Sequence, residues 1–156
     1  MKASAIQSVA AALALAVAFT LAWQAKAGGD VVRFPANFAD GELYATIERG
    51  NLKEEIFTRR PAIEAVRNGQ PIPGGTAITL VDYRDGKLFR YLVMEKRAGW
   101  GAEYPPEQRN GEWEFQAFNA DKSVNHNENL DRCFACHKGQ AQQDFVFTFE
   151  ELRTSR

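Results

Sequence analysis

Sulfur and imidazole are scarce in this chain. Its 156 residues include two cysteines, two histidines and two methionines. The cysteines, Cys133 and Cys136, sit in one C-x-x-C, so they cannot supply the widely spaced disulfide framework of a small exported scaffold. Acidic and basic residues nearly cancel, at 20 and 19. No basic cluster rises above the doublet in "FTRRP", which leaves no footing for a nucleic-acid partner. Beyond the N-terminal leader there is no apolar run of the roughly 20 residues a spanning helix needs. Repeats, low-complexity tracts and internal linkers are also missing, which excludes solenoids and multi-domain arrays.

The leader itself is "MKASAIQSVAAALALAVAFTLAWQAKA". It has a positive start at Lys2, an apolar run without acids, and a small-x-small end at Ala25-Lys26-Ala27. It reads as a secretory signal peptide over residues 1–27, cut after Ala27. Its apolar stretch, Ala10 to Trp23, is shorter than a membrane span, which disfavours an uncleaved anchor. Cleavage leaves residues 28–156, one domain with room for a single core. The leader holds two lysines and no acid, so the mature net charge is −3.

Within that domain, "GGDVVRFPANFADG" predicts a lead-in and a short helical turn ending at Gly41. "ELYATIERG" and "EEIFTR" predict a strand pair. "RPAIEAVRNG" predicts a helix, with Pro61 in its first turn, an apolar face of Ala62, Ile63, Ala65 and Val66, and Gly69 at its end. "TAITLVDY" and "LFRYLVMEK" predict a β-hairpin around Asp85-Gly86. "AGWGAEYPPEQRNG" reads as a long loop. "EWEFQAF" alternates with period two, as a strand does. "NLDRCFACHKGQAQ" predicts a helix with Asn129 as its cap, and "DFVFTF" a last short strand. The expected fold class is α+β: a single domain dominated by antiparallel β-sheet, with a short N-terminal helix, one further helix and a C-terminal helix that carries both cysteines.

Those cysteines belong to "CFACH", Cys133 to His137. C-x-x-C-H is the attachment pattern of a c-type haem. Two thiols form thioethers with vinyl groups at one edge of the ring, and the next residue brings an imidazole under the iron. Cys133 and Cys136 are therefore the expected covalent attachment points of one haem c, and His137 the proximal iron ligand. A thioredoxin-like redox pair does not need the histidine. Two cysteines and an adjacent histidine crowd a tetrahedral zinc site, and the only other histidine is His126.

The far side of the iron decides what such a protein does, because electron carriers close it with methionine or histidine. The 19 residues after His137 contain neither, and the mature chain before it offers Met94 and His126. On the strand "LFRYLVMEK", Phe89, Tyr91, Val93 and Glu95 share one face, and Leu88, Arg90, Leu92, Met94 and Lys96 the other. The first face is the more uniformly apolar and is expected inside, turning Met94 away from the haem. His126, in "SVNHNEN", reads as a solvated loop residue. The expected iron is five-coordinate and open, which favours binding or turning over a small molecule.

"PIPGGT" before the hairpin, "MEK" at its end, "GWG" after it, and the late "CFACH" together resemble the cytochrome P-460 family and its relatives, the β-sheet cytochromes c′. The resemblance spans residues 34–149. It implies a sheet-rich domain with a haem packed against it, often as a homodimer. Catalytic members of the family oxidise hydroxylamine and carry a lysine–haem cross-link and a distal carboxylate that assists proton transfer. Other members bind nitric oxide under a cap of phenylalanines. No motif selects a cross-linking residue from Lys53, Lys87, Lys96, Lys122 and Lys138, so none is assigned. Glu95, at the end of the apolar strand face, is the candidate distal proton acceptor, since burial raises a carboxyl pKa. Asp82 is a second candidate. Phe34, Phe38, Phe57 and Phe89 are available as caps, with Trp100 and Trp113 as core or haem-edge packing.

The expectation is a periplasmic haem c protein that binds or oxidises small nitrogen compounds such as hydroxylamine or nitric oxide. It needs a periplasmic redox partner if it is an oxidoreductase, and no membrane after signal cleavage. The competing expectation is a non-enzymatic cytochrome, binding nitric oxide or transferring electrons, with Met94 or His126 on iron in the second case.

Overall fold

A computed structural model describes residues 31–155; the leader expected over residues 1–27 lies outside them. Five strands follow one another across a single sheet: β1 (Glu42–Arg49), β2 (Leu52–Thr58), β3 (Ala77–Arg84), β4 (Lys87–Lys96) and β5 (Trp113–Asn119). Each pairs antiparallel with the next, in the order β1-β2-β3-β4-β5. The β3–β4 reversal is tight because Asp85 (φ 50°) and Gly86 (φ 73°) both adopt positive φ. That turn twists with the strands it joins and sets their register.

Helix α1 (Arg60–Arg67) carries Pro61 in its first turn and buries Ala62, Ile63 and Val66, as the apolar spacing predicts. Helix α2 (Leu130–Lys138) is capped as expected, with Asn129 Oδ1 accepting from the Asp131 amide at 3.0 Å. Short 3-10 turns span Phe38–Asp40 and, inside the long loop, Trp100–Glu103 and Pro106–Gln108. The final segment differs from expectation. "DFVFTF" is not a strand: Asp144 (φ 50°) and Phe145 (φ 62°) are left-handed, which breaks an extended run. The chain then enters helix α3 (Phe149–Thr154). A short apolar run is ambiguous between strand and buried helix, and here the backbone reversal decides it. Among the described residues no helix is long and apolar enough to cross a membrane.

Both faces of the sheet are covered. On one, Ile56, Ile78, Met94, Trp113 and Phe115 pack with α1, α3 and Phe134 of α2. On the other, Val81, Tyr91, Val93 and Phe118 pack beneath Val32, Phe34 and Phe38. The rings there meet edge-to-face, Phe34 to Tyr91 at 5.0 Å and Phe38 to Phe57 at 5.4 Å. The expectation of one inner face therefore needs correction. The more uniformly apolar face of β4 buries against the N-terminal lead-in, whereas the face carrying Leu92 and Met94 looks toward the helices.

Candidate haem site

Helix α2 is fixed against β5 by its own aromatic and polar groups. The Phe134 ring lies 4.8 Å from Phe115 and 5.6 Å from Tyr104. From the preceding loop, the buried Asn110 side chain donates to the Phe134 carbonyl at 2.9 Å. The loop comes this close through two glycines of "GWG" and "NG": a Cβ on Gly101 would lie 2.0 Å from the Gly111 carbonyl oxygen. So oriented, α2 presents Cys133, Cys136 and His137 together, because positions i, i+3 and i+4 share one face of a helix.

All three side chains line a cavity of about 730 Å³ between the helices and the sheet. That is within the range of about 300–1,000 Å³ typical of small-molecule and cofactor sites. Its floor is the helix-facing side of the sheet, chiefly Ile47, Ile56, Ile78, Leu80, Leu92 and Met94. Arg49 and Glu54 of the first two strands and Glu151 of α3 bring charge to the wall. Arg49 Nη2 donates to Glu54 Oε2 at 3.2 Å.

His137 is held from three sides. Its Nδ1–H donates to the Phe145 carbonyl at 2.7 Å, which leaves Nε2 as the nitrogen able to coordinate. The rings of Phe115 and Phe147 stand 4.8 Å and 5.0 Å away. Burial pulls the imidazole pKa below its ordinary value, against the opposing effect of the Phe145 carbonyl. The neutral ring that results is the form that binds a metal. Phe145 and Asp144 are left-handed at a cost of roughly 1–2 kcal/mol per residue. Asp144 is secured in turn by Lys96 Nζ at 2.6 Å and Trp113 Nε1 at 3.3 Å.

Cys133 is partly buried and Cys136 is exposed. Burial and then Glu128 raise the Cys133 thiol above its ordinary range, with Arg90 opposing them. Arg90 pairs with Glu128 and donates to Asp82 at 3.0 Å. Asp82, the second carboxylate candidate, is 1% exposed and bound to Arg90 and Arg84. It is not part of the cavity lining.

The structure brings Cys133, Cys136 and His137 together and separates Glu95 from them. Glu95 lies on the opposite face of the sheet, where its carboxylate accepts from Arg97 Nε at 2.7 Å. It lines a different pocket, with Phe34, Phe38 and Phe57. Its expected distal position is thus overturned, because β4 alternates and the helices cover the side of the sheet opposite to the one chosen for the interior. For the same reason Met94, expected to point away, lines the cavity. Phe34, Phe38 and Phe57 belong to the opposite core, Phe89 is exposed beneath the Arg84 guanidinium at 3.7 Å, and His126 is exposed.

Sequence reasoning missed Phe115, Phe147 and Glu54. Glu54 shares the cavity face with Ile56 two residues on, a signal readable only once that face is known to be inner. Among the described residues lining the cavity there is no lysine. Lys96 is engaged with Asp144, and Lys53 pairs with Glu55 at 2.5 Å.

The donor set fits a haem: two thiols one helical turn apart, an adjacent neutral imidazole with Nε2 free, and a largely apolar cavity beside them. No curated protein matches the chain. The family model for cytochrome P460 matches residues 35–148, which include the whole sheet, α1 and α2. The chain therefore belongs to the cytochrome P460 family, haem proteins generally linked to the oxidation of nitrogen compounds.

Proposed function

We propose that this is an exported, periplasmic haem c protein that binds and oxidises small nitrogen compounds, hydroxylamine or nitric oxide, at an open iron site. Cys133 and Cys136 hold the haem through thioethers, and His137 Nε2 is its proximal ligand. A haem held there would supply a redox-active iron able to bind a small nitrogen compound and take up its electrons, with a periplasmic redox partner as their acceptor. The remaining work belongs to the chain. Phe145 fixes the tautomer and angle of His137. Ile47, Ile56, Leu80 and Leu92 keep the cavity dry and offer no ligating atom. Glu54, anchored by Arg49 on that floor, is the proton-accepting carboxylate, the role first expected of Glu95.

The observation that carries this reading is the chemistry of the floor. Beyond the two thiols, His137 and Met94 are the strong haem ligands among the described lining residues. Met94 favours a second reading, an electron-transfer cytochrome with its sulfur on iron. Against that, Met94 pairs across strands with Phe115, whose ring packs on His137 itself. Its row of the floor lies on the histidine side, and the next row, Ile56, Leu80, Leu92 and Ala117, is aliphatic.

The test is the purified holoprotein. Acid extraction is expected to leave the haem on the polypeptide. The ferrous spectrum is expected to be high-spin and five-coordinate, and to change on adding nitric oxide. A sharp low-spin spectrum with a methionine–iron charge-transfer band overturns the open site.

A further inference from the structure

We infer that Lys96 and Asp144, with Trp113, act as a clamp that sets how strongly His137 donates to the iron, and so tunes the reduction potential. This rests on the reading of His137 as the iron ligand. The three are positioning residues: they act through the Phe145 carbonyl.

That carbonyl is the polar partner of the His137 Nδ1–H, at 2.7 Å. A hydrogen bond to this nitrogen fixes the tautomer and makes the imidazole a stronger donor. The carbonyl stands at an improbable place in the backbone. Phe145 has φ 62° and Asp144 before it φ 50°, and two successive left-handed residues without glycine persist only when their surroundings over-determine them.

Four contacts supply that constraint. Asp144 Oδ2 meets Lys96 Nζ at 2.6 Å, and Asp144 Oδ1 accepts from Trp113 Nε1 at 3.3 Å. Lys96 and Trp113 are register partners on β4 and β5, so one carboxylate bridges two adjacent strands. The Phe145 amide donates to the Gln140 carbonyl at 2.8 Å. The Phe145 ring rests on Gly111, where a Cβ would sit 2.9 Å from it. The Lys96–Asp144 pair is mostly shielded, with side chains 15% and 23% exposed, so it is less screened by salt than a surface pair. The sheet, through this pair, dictates where the carbonyl points.

If the clamp is released, residues 144–145 relax toward ordinary backbone angles and the carbonyl leaves Nδ1. The imidazole becomes a weaker donor, ferric iron loses stabilisation, and the reduction potential rises.

The test compares holoprotein of the wild type with Lys96→Met, Asp144→Asn, the double variant and Lys96→Arg. Resonance Raman reads the iron–histidine stretch of the ferrous form, and a potentiometric titration reads the potential. The clamp predicts a lower stretching frequency and a higher potential in both single variants, no further change in the double variant, and recovery in Lys96→Arg. A residue with a merely structural part lowers the melting temperature and leaves the stretch unchanged, which overturns the inference, as do additive shifts in the double variant. Asp144→Asn keeps the acceptor for Trp113, so a folded variant remains if Lys96→Met does not fold. Absence of any iron–histidine stretch in the wild type instead refutes the open, five-coordinate iron on His137 that the proposed function requires, which distinguishes the two failures.

Discussion

Replacing Met94 by leucine separates packing from ligation. The side chain is 7% exposed and lies on the cavity floor between its strand partners Ile78 and Phe115. Leucine has nearly the same apolar volume, and volume-conserving swaps in cores cost less than about 1.5 kcal/mol. At roughly 3–6 °C per kcal/mol for a domain of this size, the melting temperature falls by less than about 9 °C. The swap removes only the sulfur. With an open site, both oxidation states keep their absorption spectra, and nitric oxide affinity stays within about twofold, or ~0.4 kcal/mol. Met94→Ala serves as the packing control: it costs about 2–5 kcal/mol through the cavity it leaves, again without changing the spectrum. The assays are thermal unfolding, absorption spectroscopy and a nitric oxide titration. Conversion of a low-spin to a high-spin spectrum in Met94→Leu, or a large gain in nitric oxide binding, would show the sulfur on iron and refute the open site.

Glu54→Gln is expected to slow hydroxylamine turnover about 10²–10⁴-fold, the usual worth of a general base, whereas Glu95→Gln on the far face leaves the rate unchanged; equal losses would sink the assignment. Tyr44, buried and sharing a 2.7 Å hydrogen bond with Thr148, has its phenol pushed up chiefly by burial from an ordinary value of 10.0. The unfolded chain then loses this proton first, so stability falls as pH rises above about 10. Tyr44→Phe should flatten that fall at a cost of ~1 kcal/mol near neutral pH; identical alkaline unfolding profiles would rule this out. Gly101→Ala puts a methyl 2.0 Å from the Gly111 carbonyl oxygen. It should destabilise by about 3 kcal/mol as the two arms of the loop part, and an unshifted midpoint in urea would contradict the close approach.

Much of the fold is local and was therefore legible. Asp85-Gly86 closes a hairpin because those residues accept positive φ, Pro61 starts α1, and Asn129 caps α2. The run "DFVFTF" differs from its expected strand because its backbone reverses at Asp144 and Phe145; aspartate tolerates a left-handed bend, but the phenylalanine after it does not announce one. Its carbonyl nevertheless holds His137, a contact that joins two segments through one loop and leaves no trace in either.

Strand alternation divides β4 into two sets of side chains, and the amino-acid order settles that Met94 and Glu95 must oppose one another. It does not settle which set meets the helices. In a sheet covered on both sides the more apolar face need not be the one that holds the cofactor cavity. The lead-in through Val32, Phe34 and Phe38 claims the aromatic face, so the helices and the cavity take the other. Thus "CFACH" alone determined the spacing of the two cysteines and the histidine beside them. Only the tertiary structure decided what faces that histidine, because burial of a strand face depends on which distant segments pack over it.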